Sequence, residues 1–190
     1  MNLKISEDKI KHIWGKNFLK EIKKRDSIEG EKGYRVVKRK IQIAKQNIPK
    51  LKILNLVKFI GVSGSVGAGF AKEEDDIDLF IVVRDGSMWL YRALVQFKNI
   101  FHRKIRTKWD RSVKDKLCIN MIVEERALEF EKDIFNFHEL MYLEPIYNEN
   151  YLQYIYSENE WLVTQYGVKR SNLESRIRKS KKVNFFLKFL

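Results

Sequence analysis

The stretch GVSGSVGAGFAKEEDDIDLFIVV, residues 61–83, joins a turn of small residues (Gly61, Ser63, Gly64, Ser65, Gly67) to an aspartate pair at the mouth of the chain's most apolar run. In an extended segment successive side chains alternate faces. Asp76 and Asp78 therefore project to one side, about 6–7 Å apart, while Ile77 and Leu79 face the core. Two carboxylates so close repel unless a cation lies between them. A hard divalent ion, Mg2+ or in its place Mn2+, suits the pair, because it takes oxygen ligands and keeps waters for phosphate groups. Ahead of the pair, Gly64 lets the backbone approach a phosphate closely, and the local amides with the Ser65 hydroxyl can donate to it. The acidic run Glu73, Glu74 and Asp75 reads as a solvated loop.

Working outward, apolar residues at three and four residue steps predict a helix over 34–47, ended by Pro49. Strands are expected at about 57–63, 76–83 and 116–125, and a helix at 88–103 with Leu90, Leu94, Phe97 and Phe101 on one face. ALEFEKDIFNFHELMYLEPIY reads as a helix stopping at Pro145, and 150–166 and 171–190 also read as helical. Residues 3–24 predict one or two amphipathic helices. The order gives an α+β fold with a small mixed sheet packed on helices. It divides into a helical extension (1–33), a core (34–125) and a helical C-terminal region packed on the core (126–190).

Gly64-Ser65, a ten-residue gap and Asp76-Ile77-Asp78 inside an apolar strand resemble the signature of the nucleotidyltransferase superfamily, which includes DNA polymerase beta, tRNA-CCA-adding enzymes and minimal nucleotidyltransferases. DGSMWLYR, KLCINMIVEE and DIFNFHEL look more like a prokaryotic subgroup of undefined substrate. The resemblance implies a nucleotidyltransferase fold over roughly 34–165. It implies that Gly64 and Ser65, with Ser63 beside them, bind the triphosphate of a nucleoside triphosphate. Asp76 and Asp78 would then hold Mg2+ while a nucleoside monophosphate passes to an acceptor hydroxyl and pyrophosphate leaves. Arg92, one helix turn beyond DGSMWL, is a further candidate for the phosphates. The family's third carboxylate lies on a later strand, where the inward polar position here is Asn120, a weak ligand and a very poor base. Glu124 shares its parity but stands about 13 Å further along. Asn120 therefore implies either another activating group or a protein that binds nucleotides without turning them over.

Composition bounds the rest. The formal charge of +13 suits a polyanion such as RNA or another nucleic acid, and equally a solubilising lysine coat. KKR at 23–25, KRK at 38–40 and residues 98–116 are basic, whereas 124–160 is acidic, a sign change that suggests separate faces for a nucleic acid and for self-association. Within 98–116, Phe101 and Trp109 are expected in the core. His138 reads as a packed helix histidine. The single cysteine, Cys118, excludes an internal disulfide, and with three scattered histidines there is no structural zinc set. The start lacks a signal peptide, and no run of about 18 apolar residues suggests a membrane span, so a soluble cytoplasmic protein is expected. The terminus NFFLKFL leaves three readings: it packs on the domain, mediates a homodimer or other protein contact, or is the cut start of a longer chain. An antitoxin-like interaction partner using the acidic face is the reading furthest from catalysis.

Overall fold

The computed structural model describes residues 30–164, with side chains from residue 33 onward. The expected helices at 3–24 and 171–190, the KKR cluster and the apolar terminus lie outside the described residues. In chain order the elements are α1 (Gly30–Gln46), α2 (Ile48–Leu51), β1 (Val57–Val62), α3 (Gly64–Gly67), β2 (Ile77–Val83), α4 (Met88–His102) and β3 (Leu117–Glu124). They are followed by a 3-10 turn (Glu125–Ala127), α5 (Ile134–Met141), β4 (Glu144–Tyr147), α6 (Tyr151–Ser157) and α7 (Trp161–Thr164). This is the mixed α+β plan expected from the sequence.

The sheet order is β3-β2-β1-β4. β1 pairs antiparallel with β2 and β4, and β2 pairs parallel with β3. β1 and β2 are central and covered on both faces, which is why they read as nearly unbroken apolar runs. On one face Ile77, Leu79, Ile81 and Val83 pack with Val36 and Ala44 of α1 and Tyr91 and Val95 of α4. On the other, Phe80 and Val82 pack with Phe137 and Leu140 of α5, Leu152 and Ile155 of α6, and Trp161 of α7. No described helix is long and apolar enough to cross a membrane.

Three local expectations are corrected. The helix expected from Ala127 to Pro145 shrinks to Ile134–Met141, and residues Glu144–Tyr147 become the edge strand β4. The buried Asn159 amide donates to Leu128 O at 2.7 Å and its Oδ1 accepts from Phe130 N at 3.0 Å, so the segment before α5 is held irregular. Asp133 then starts the helix, its Oδ1 accepting from Asn136 N at 2.7 Å. Pro145 lacks an N–H and sits in an edge strand, where that loss is tolerated. The stretch read as helical over 150–166 forms, within the described residues, two helices, α6 and α7, separated around Asn159, which also donates to Ile155 O at 2.8 Å.

The third correction concerns α4, which buries Tyr91, Val95 and Asn99 and leaves Leu90, Phe97 and Phe101 exposed. Asn99 fixes this rotation: its Nδ2 donates to Ile105 O at 2.9 Å and its Oδ1 accepts from Ile105 N at 2.8 Å. Phe101 and Trp109 are therefore outside the core.

The KRK cluster at 38–40 acts inside the molecule. The Lys40 side chain is 0% exposed, and its ammonium donates to Glu73 O (3.1 Å), Asp75 O (2.7 Å) and Asp115 Oδ1 (2.8 Å). Arg39 reaches Glu73 and Asp115 as well. One helix thus ties together the loops that lead into β2 and β3. Truncating one partner of a buried charge pair leaves the other poorly compensated, so Lys40→Met is expected to lower the unfolding free energy by about 3 kcal/mol in urea titrations. Arg35→Met, on an exposed position of the same helix, should leave it within about 0.5 kcal/mol.

Candidate active site

Ser63 follows the last residue of β1 and donates its N–H to Asp78 O at 2.9 Å, so the two residues stand opposite each other at the end of the antiparallel pair. The parallel register sets Cys118 opposite Asp78 on the other side. Paired residues share a sheet face. Ser63, Asp78 and Cys118 therefore form a row across three strands, on the face that α5 covers. Asp76, one residue before β2, completes a group in which the ligand atoms of Asp76, Asp78 and Cys118 lie within 4.8 Å of one another.

Gly64 is required here on two grounds. Its φ of +58° is left-handed, and a Cβ would meet Asp78 Oδ2 at 2.2 Å. The Asp78 carboxylate thus occupies the volume that any other side chain at 64 would claim. Gly64 and Ser65 open α3, whose first N–H groups have no acceptor within the helix. The Ser65 hydroxyl is engaged otherwise, donating to Asp75 Oδ2 at 3.0 Å, which also accepts from Lys72 N at 2.9 Å. Asp75 is thus the organiser of the turn, beyond the solvated role expected for it.

The electrostatics follow from the crowding. Burial pushes the Asp78 carboxyl up to about 6 from its ordinary 3.8, with the Asp76 charge and then Glu139 adding to the effect. A hydrogen bond from Cys118 and the Arg106 charge act in the opposite sense. Burial, followed by the Asp78 and Asp76 charges, pushes the Cys118 thiol up to about 11, so it is neutral at physiological pH. Arg106 Nη1 donates to Asp76 Oδ2 at 2.7 Å, and that hydrogen bond and charge hold its guanidinium more firmly protonated. The reach of Arg106 comes from a short extension of the sheet: Ile105 bridges to Leu117, and Arg106 N donates to Leu117 O at 2.7 Å. Its sequence setting, one cation among many in 98–116, carries no signal of this role.

Asn120 stands apart from the expected position. The register shifts between Leu79 and Phe80, which pair with Ile119 and Met121, so Asn120 is the extra residue of a bulge and is exposed. Its Nδ2 donates to Glu139 Oε2 at 3.4 Å. Glu139, on α5 and 5% exposed, brings a third negative charge towards Asp78 from a helix rather than from a strand. Glu139 is not singled out in the sequence, where its neighbour His138 reads as a packed helix histidine, and the His138 ring lies 5.1 Å from that of Tyr142. Arg92 is exposed near the start of α4, where Met88 N donates to Glu124 Oε1 at 3.2 Å. That end of β3 is six residues from Cys118, about 20 Å, so Arg92 is not among the residues brought together. Open clefts lined by Lys52, Asn55 and Tyr147 also lie at that end of the sheet.

The donor chemistry fits a divalent ion. Two carboxylates and a thiol surround one centre, a glycine leaves room for the carboxylate, and Ser63 Oγ is buried without a hydrogen-bond partner. The raised Asp78 value has a testable sign. Between pH 4 and 6 the folded chain keeps a proton that the unfolded chain has lost, so stability contributed by this group falls as pH rises across that window and is level above it. Chemical denaturation with a chelator present should show this decline in the wild type and its absence in Asp78→Asn. Above pH 6, Mg2+ should raise the melting temperature of the wild type and not of the variant.

Comparison with known families agrees with this geometry. The sequence model for the nucleotidyltransferase domain matches residues 37–183, a span that includes the turn, both aspartates, Cys118 and Glu139. No curated protein and no solved structure matches the chain. With most of its length inside that match, the chain belongs to the nucleotidyltransferase domain family.

Proposed function

We propose that the protein is a Mg2+-dependent nucleotidyltransferase that moves a nucleoside monophosphate from a nucleoside triphosphate to an acceptor hydroxyl, releasing pyrophosphate. The observation that carries the reading is the convergence of Asp76 and Asp78 beside the Gly64-Ser65 turn. Asp76 and Asp78 would hold the ion, which when bound supplies charge neutralisation at the phosphates and alignment of the acceptor oxygen. Mn2+ fits the same oxygen donors.

The chain's own residues do the remainder. N–H groups at Gly64 and Ser65 offer donors to phosphate oxygens, and Asp75 keeps the turn in shape by holding Ser65 and Lys72. Arg106, paired with Asp76 and partly exposed, would stand beside a bound ion as a guanidinium suited to a polyphosphate. Glu139 is the acceptor-activating base in this reading, oriented through Asn120. The acceptor in the proposal is a hydroxyl of a nucleic acid, which the net charge of +13 favours, in a cytoplasmic setting.

A second reading, a module that binds nucleotides without transfer, is favoured by one observation: the strand position beside Asp78 carries the thiol of Cys118 in place of a carboxylate. Calorimetry with the four ribonucleoside triphosphates and Mg2+, alongside pyrophosphate release in a cell extract, separates the two. Metal-dependent binding with release, both lost in Asp76→Asn/Asp78→Asn, supports the enzyme, and binding without release supports the module. If transfer occurs, Glu139→Gln should lower its rate by about 100-fold or more while nucleotide binding stays within a few-fold, as expected for loss of a general base.

A further inference from the structure

We propose that Cys118 is the third ligand of the Asp76–Asp78 site, which thereby takes a thiophilic divalent ion of the Zn2+ or Cd2+ class in competition with Mg2+. The inference rests on the proposed function only in sharing its two carboxylates. Three features support it. The parallel register holds Cys118 directly beside Asp78 on the same sheet face, so the thiol is a fixed part of the site. The ligand atoms of Asp76, Asp78 and Cys118 are all within 4.8 Å of one another. A four-coordinate ion with oxygens at about 2.0–2.2 Å and sulfur at about 2.3 Å holds its ligand atoms roughly 3.4–3.6 Å apart, so side-chain rotations must draw the three together by up to about 1.4 Å.

The third feature is independent of this trio. Ser63 lies opposite Asp78 on the neighbouring strand, is 0% exposed, and its Oγ has no hydrogen-bond partner. A buried hydroxyl costs free energy unless it meets a polar group. A fourth ligand on a bound ion, such as a coordinated water, would satisfy it. Two carboxylates and one thiolate with a fourth position make a four-coordinate set suited to Zn2+, whereas Mg2+ prefers six oxygens and disfavours sulfur. On coordination the S–H bond breaks, the sulfur–metal bond forms, and the proton passes to solvent. Arg106 must leave Asp76 at the same time, which its partly exposed side chain permits. An ion held this way fills the place of Mg2+ with fewer open positions for phosphate and so acts as an inhibitor of the transfer.

Because the chain has one cysteine, a thiolate-to-metal charge-transfer band can come from Cys118 alone. Full-length protein is titrated with Cd2+ alone and followed by ultraviolet absorption, then repeated with Cys118→Ser, Asp78→Asn and Asp76→Asn. The expected result is a saturable band with one ion per chain, lost in Cys118→Ser and weakened at least tenfold in apparent affinity in both aspartate variants. No band in the wild type, or a band unaltered by both aspartate substitutions, would overturn the proposal. The readout needs no nucleotide, so its failure leaves the transferase reading intact, and failure of that reading leaves the band to be judged by itself.

Discussion

A single buried ammonium organises this fold. Lys40 is carried by α1, yet its three acceptors belong to the segments that feed the two parallel strands: the carbonyls of Glu73 and Asp75 ahead of β2, and the Asp115 carboxylate ahead of β3. Those strands begin side by side, and their first residues are the ones that matter chemically. Asp115 adopts a left-handed conformation, φ 57°, and donates its N–H to Asp75 O at 3.2 Å, so the segments leading into β2 and β3 are also stitched to each other. Isolated ion pairs at a surface contribute little to stability. Here the charge is fully withdrawn from water and its donors are all used, which makes the arrangement specific as well as cohesive. The positions of Asp76, Asp78 and Cys118 relative to one another follow from where Lys40 draws those loops together.

The basic composition takes on another meaning in this light. Arg39, Lys40, Arg106, Lys114 and Lys116 all make ion pairs with carboxylates on neighbouring loops, so these five cations hold the acidic end of the sheet together, while the net charge of +13, which already counts every carboxylate, is unchanged by the pairing.

The fold and the centre of the site were legible where the controlling interactions are local. The α1 helix, the two central strands, and the glycine turn followed by alternating aspartates are written in periodicity and turn chemistry over a dozen residues at a time. What escaped depends on partners distant in sequence. Asn120 and Cys118 share a strand, and only the register against β2, which pairs Asp78 with Cys118 and leaves Asn120 in the bulge, reveals which of them lies beside Asp78. The short strand β4 has apolar spacing compatible with a continuing helix, and its pairing with Gly61 and Val62 decides the matter. Lys40 and Arg106 look like any other solvated cations until the loops they bind are in place. Glu139 belongs to the same class, since its charge matters only because α5 lies over the face that bears Asp78.

The contact between Gly64 and the Asp78 carboxylate has a consequence for how such a chain can change. A residue with a side chain at 64 cannot be acquired while Asp78 keeps its present rotamer, because the two would share one volume. Loss of Asp78, by contrast, leaves Gly64 sterically content. Drift at these two positions therefore has a direction. A lineage that first loses the carboxylate removes the clash and leaves only the left-handed backbone, φ +58°, against a side chain at 64; once one is accepted there the aspartate cannot return without the glycine, so the close fit acts as a ratchet that makes loss of the site easier than its recovery.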